Sequence, residues 1–421
     1  MIHKLLITSL TLAAVLSGSS PALASDWPTF RGAGGRSVAM EDVVPTVWAV
    51  DDGTNIAWTA DIPGRGVSGP IVIGGRVIVT ASSGPTEDRL HVLAFDETTG
   101  QQLWHRQFWA TGRTLFHPTM ANATPTPASD GEHVFAFFSS NDLVSLDLDG
   151  NLLWMRGLVL DHPKLGNDVG MSSSPTVAAG AVIVQCESQG DSFAAAFDAV
   201  TGAPRWMIDR PRTAQWASPS AIDEENGCVP AVVLQSADGV SLHDPVSGSP
   251  LWHRKHACAS IASAVVEGGR LFVPGDNVTM FSIQDGVSDA DAPIWSSAPL
   301  RPSSPSPVVV DNRVYVIGSA GVLVCGNADT GEVQWRRRLG GQFWATPVAV
   351  GNHLICINSE GTAFVVDRHD DGKILAENKF SAEMLGSPAV ANNALFARSH
   401  KKLWKIAASG VAIRPASQAP K

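Results

Sequence analysis

The stretch Ser306-Pro307-Val308-Val309-Val310-Asp311-Asn312-Arg313-Val314-Tyr315-Val316-Ile317 decides the fold, because the chain repeats its pattern. A small residue and usually a proline open a short apolar run. A turn follows, then a second run that alternates, and the phrase closes on a tryptophan, here Trp335. Other copies open at Pro70, Pro127, Pro175, Pro219, Ala264, Pro347 and Pro388, about 40–57 residues apart. A period of this size marks an array of units, none of which buries its own apolar face alone.

Within a unit the alternation has period two, and turns such as Gly74-Gly75, Asp311-Asn312 and Asn392-Asn393 separate the runs. The sixth unit predicts strands over 307–310, 313–318, 321–326 and 332–339. Four-stranded sheets repeated radially make a β-propeller. Seven openings are followed by a complete unit. The eighth, residues 387–406, holds three strands, and residues 55–62 hold a lone fourth strand around Trp58. Pairing these ends closes the ring and removes exposed sheet edges. The expected fold is therefore all-β: an eight-bladed β-propeller of four-stranded antiparallel blades, closed by an N-terminal strand in the C-terminal blade. A seven-bladed ring is the alternative, with the fifth unit decayed where residues 288–293 replace its Thr-Gly turn. Trp58, Trp104, Trp154, Trp206, Trp252, Trp295 and Trp335 occupy the fourth strand of successive units, with Leu375 in the seventh, and are read as wedges between blades.

The chain starts like an export signal, with Lys4, an apolar run from Leu5 to Leu16 and a small-x-small Ala22-Leu23-Ala24. The expected organisation is a signal peptide over 1–24, an N-terminal arm over 25–54, the propeller over 55–406 and a tail over 407–421. The run is short for a membrane span, and no cysteine lies at the cleavage site, so no lipid anchor is expected there. This predicts a periplasmic or secreted protein with no integral membrane segment. A net charge of −10 argues against a nucleic-acid partner. The odd count of five cysteines, with no C-x-x-C pair, offers neither a closed disulfide set nor a zinc site. Cys186, Cys325 and Cys356 read as buried hydrophobes, whereas Cys228 and Cys258 lie nearer loops.

The segments Ala94-Phe-Asp-Glu-Thr-Thr-Gly-Gln-Gln-Leu-Trp104 and Ala196-Phe-Asp-Ala-Val-Thr-Gly-Ala-Pro-Arg-Trp206 resemble the tryptophan-docking repeat of pyrroloquinoline-quinone (PQQ) propellers. That family includes quinoprotein alcohol and sugar dehydrogenases. It also includes binding proteins typified by the propeller subunit of the outer-membrane β-barrel assembly machinery. A closer resemblance is to exported PQQ-like propellers of planctomycete-type bacteria, through Asp26-Trp27-Pro28-Thr29-Phe30-Arg31-Gly32 and Asn122-Ala123-Thr124-Pro125-Thr126-Pro127. The dehydrogenase branch implies PQQ with calcium or a lanthanide, and in the alcohol dehydrogenases a disulfide between adjacent cysteines, which this chain does not contain. Glu187, Asn167 and Asp168 are acid or amide residues in the third unit, but their spacing does not force them onto one ion.

No nucleophile elbow, Walker loop or His-Glu-x-x-His helix is present, so no catalytic or metal residue is assigned. Candidates for binding come from connections between the last strand of one unit and the first of the next, which should gather at one channel mouth. His117 and Asn122 lie in the longest of these, Asp168 in the next, and Trp216 and Trp344 are outside the packing series. The two tryptophans either meet a ligand or partner or plug the channel. The expectation is an exported, non-catalytic propeller that binds a protein or another macromolecular partner and needs no cofactor. A PQQ-dependent oxidoreductase and a carbohydrate-binding module are the alternatives.

Overall fold

The computed structural model describes residues 25–222, 229–283 and 292–408. The expected signal peptide, Cys228 and residues 409–421 of the expected tail lie outside these. So do residues 223–227, an insertion in the fourth unit, and most of the irregular turn in unit five. The described residues form eight sheets. The first blade comprises Ile71–Ile73, Arg76–Ser83, Arg89–Asp96 and Gln102–Trp109, paired in that order, and six further sheets repeat the plan. The eighth takes Ala389–Ala391, Ala394–Arg398 and Lys402–Ile406 from the C-terminal end and Ile56–Asp61 from the N-terminal end. Ile56–Asp61 runs antiparallel to Lys402–Ile406, with Thr59 opposite Trp404 and Asp61 opposite Lys402. The ring thus closes as expected, and the fifth unit is a full blade ending at Trp295–Ser297.

The core lies between sheets. All six residues of Ala181–Cys186 are buried, because neighbouring blades cover both faces of a middle strand. Outer strands alternate instead: in Pro204–Asp209, Trp206 points inward while Arg205 and Met207 face solvent. Cys186, Cys325 and Cys356 are buried as expected, Cys258 is half-buried, and all four are free thiols. Among the described residues, no helix is long and apolar enough to cross a membrane.

One feature departs from eight plain four-stranded blades. Val38–Ala39 adds a short parallel strand to the inner edge of the seventh blade. It belongs to the N-terminal arm, which crosses one end of the channel. Trp27 exchanges backbone hydrogen bonds with Val72 of blade one, and the Ser129 N–H of blade two donates to the Pro28 carbonyl. Thr29 donates to Pro175 of blade three. The buried Arg31 guanidinium donates to Ser220 Oγ of blade four (2.9 Å) and to the Ala264 carbonyl of blade five (3.0 Å). Ser37 reaches Pro347 of blade seven, and Val43 reaches Asn393 of blade eight. The arm closes this end of the channel and leaves the other open.

Candidate functional site

At the open end the connections between blades surround a cavity of about 300 Å³. Its wall includes part of a belt of hydroxyls. The residue before each proline-like position donates its backbone N–H to the equivalent Ser or Thr of the next blade. Thus Gly69 donates to Thr126, Thr126 to Ser174, Ser174 to Ser218 and Ser218 to Ser263. Ser263 then donates to Ser306, Ser306 to Thr346 and Thr346 to Ser387, all seven bonds lying between 2.8 and 3.1 Å. Gly69 has no hydroxyl, and a Cβ there would meet the Ser387 carbonyl at 2.7 Å, so the circle opens between blades eight and one. Thr126, Ser174, Ser218, Thr346 and Ser387 line the cavity, and Phe30 of the arm lines it as well.

His117, Trp216 and Trp344 come together in the cavity wall, beside Met120, Ile261 and Leu385. Both tryptophans are half-buried. Trp216 is held by its indole N–H on the Gly170 carbonyl (2.8 Å) and its backbone N–H on the Ser260 carbonyl (2.8 Å). Over blades one to three the connections after Trp109 and after Gly157 pack together. The His117 N–H donates to the Val169 carbonyl, and a Cβ on Gly170 would strike Phe116.

The other two candidates stand elsewhere. Asn122 is wholly buried under its connection. It donates to the Glu87 carbonyl and accepts the Ser140 N–H at 2.8 Å, tying blade one to blade two. Asp168 is exposed on the outer rim, 3.3 Å from Arg113. Glu187 does not line the cavity, although its backbone bridges to Gln215, the neighbour of Trp216. It is buried between blades three and four, where Arg210 Nε donates to it at 2.7 Å. Burial pushes its carboxyl up to about 7, outweighing Arg210. Phe30, Met120, Ile261, Leu385 and the hydroxyl belt were missed as site residues. For Phe30, its place in Asp26-Trp27-Pro28-Thr29-Phe30-Arg31-Gly32 was the available signal.

A family model described as outer membrane protein assembly factor BamB matches residues 14–226 and 286–373. The chain belongs to this family of PQQ-like propellers. Family proteins named outer membrane protein assembly factor BamB are 25% identical over 339 residues in Yersinia pestis, covering 78% of each chain. The protein of that name in Moranella endobia is 24% identical over 317 residues, covering 73% of each. The fold is also that of BamB from Moraxella catarrhalis (TM-score 0.63, 17% identity, 85% of this chain and 98% of that one). A europium-containing methanol dehydrogenase shares it too (TM-score 0.69, 13% identity, 92% and 98%). The last two likenesses concern the fold alone. Family membership accounts for the docking repeat and the ring, and the wall residues above are what this chain builds on them.

Proposed function

We propose that the protein is an exported, non-catalytic propeller that binds protein partners at its open mouth and serves outer-membrane protein assembly. The observation that carries this reading is the cavity: aromatic and hydroxyl-lined, and without a charged wall. Among the described residues its lining holds no Asp, Glu, Lys or Arg, and His117 is the titratable side chain in it. A PQQ-type quinone is a polycarboxylate that partners a hard cation, so it asks for cationic side chains and anionic oxygens. This wall fits neither. Among the described residues, no three His, Cys, Asp or Glu side chains gather as a metal group. An uncharged aromatic mouth on a rigid ring instead suits a partner that buries apolar groups there. Similarity to the outer membrane protein assembly factors of Yersinia pestis and Moranella endobia supports the assembly role.

The test is genetic. Deleting the gene should lower the amount of outer-membrane β-barrel proteins in the host. The wild-type gene should restore it, and a folded Trp216→Ala/Trp344→Ala double variant should not. Unchanged β-barrel levels in the deletion would dismiss the assembly role. Full rescue by the double variant would dismiss the mouth.

A further inference from the structure

The first described residue of the arm is seated at the seam where the ring closes. The Ser25 backbone N–H donates to Asn392 Oδ1 of blade eight at 3.0 Å. Its hydroxyl lies 3.1 and 3.0 Å from the two Asp42 carboxylate oxygens and accepts the Asn392 N–H at 2.8 Å. Asn392 in turn donates to Glu97 of blade one at 2.9 Å, so one small group links the arm to both sides of the seam.

The charges around this seat do not balance. Lys405 Nζ stands 3.5 Å from the Glu97 carboxylate. Asp42 is only 3% exposed, and neither it nor Asp26 has an ion pair among the described residues. A buried carboxylate without a counter-charge is costly. The groups seated against Asp42 are the Asn393 N–H, which donates to it at 2.7 Å, and the Ser25 hydroxyl. We propose that Ser25 is the processed N-terminus and that its free α-ammonium is the missing cation, fastening the arm at the seam between blades eight and one.

The step is amide hydrolysis by a leader-removing peptidase. Water adds across the Ala24–Ser25 bond. The leader departs with the Ala24 carboxylate, and Ser25 keeps the nitrogen, which takes up protons to become an ammonium. The amide supplied one N–H, already given to Asn392. The ammonium supplies two more and a positive charge on the residue whose hydroxyl already lies against Asp42.

Two measurements test this. Protein exported from its full gene should begin at Ser25 by intact mass and N-terminal sequencing; any other first residue overturns the proposal. Asp42→Asn keeps the acceptor oxygen and removes the charge. It should lower Tm by about 2 °C or more in protein beginning at Ser25, and by less than half as much when Gly-Ser precedes Ser25. Equal shifts in the two backgrounds overturn the seat. Should D42N not accumulate, α-acetylation of the Ser25-initiated protein is the second readout. A Tm drop is expected, and an unchanged Tm overturns the proposal. A failed genetic test of mouth binding would leave these outcomes unaffected.

Discussion

Gly150 shows why the repeat needs both its glycine and its tryptophan. Its φ is +80°, and a Cβ there would stand 2.6 Å from the Trp104 ring of the preceding blade, whose indole N–H donates to the Leu148 carbonyl. Gly100 on Trp58, Gly202 on Trp154, Gly248 on Trp206 and Gly331 on Trp295 repeat the contact. Thr-Gly and Trp lie a few residues apart in sequence, but each glycine serves the tryptophan of the blade before. Gly150→Ala should therefore cost about 2 kcal/mol or more. Gly131→Ala, at φ +97° but in open space, should cost about 1 kcal/mol; urea unfolding compares them. Glu187 offers a second test at this scale. The unfolded chain releases this proton near pH 4.3, whereas the folded protein holds it to about 7. Its contribution to stability is therefore full below the unfolded value and is lost as pH rises through about 7. The stability of the wild type relative to Glu187→Gln should fall over that interval, as read by urea unfolding at each pH. A constant difference would show that the folded carboxyl is not shifted.

Among the elements, the inner strands carry the least predictable feature. Ser-Pro and Thr-Pro are legible as strand openings, since proline lacks an N–H and presets its own φ. That each hydroxyl accepts the N–H of the blade before was not legible. The partners are 40 or more residues apart, and only the curvature of the ring brings them within 3.1 Å. Ser218→Ala leaves the buried Ser174 N–H without its acceptor and should cost about 1–3 kcal/mol. Chemical denaturation measures the cost, and Ser218→Thr should recover most of it. The mouth was half legible for the same reason. Trp216 and Trp344 stood out because they break the tryptophan series, and they do meet in one wall with His117. Asn122 and Asp168 shared their connections, but one turns inward to Glu87 and Ser140 while the other turns out to Arg113. Side-chain direction within an irregular connection has no period from which to read it.

For the whole molecule, closure is the decisive event. Blade eight has its outer strand from one end of the chain and its other three from the opposite end, and the arm then ties blades one to five to blades seven and eight. Ala60→Pro removes a backbone donor in the closing strand, at the hydrogen-bonded position opposite Leu403. It should expose the Lys402–Ile406 edge and produce concentration-dependent oligomers by size-exclusion chromatography with light scattering. A monomer of unchanged Tm would mean that closure does not depend on this pairing.

The amino-acid order alone determined the blade and the pairing of the two ends, and favoured eight blades over seven. These follow from local rules: period-two alternation, turn residues, and an incomplete unit at each end that only the other can complete. The tertiary structure decided that the arm seals one end of the channel, that hydroxyls run around it from blade two to blade eight, and that the described lining of the open cavity holds no Asp, Glu, Lys or Arg. Each of these joins groups from several blades, and their meeting depends on the angle between sheets, which no segment of the chain encodes by itself.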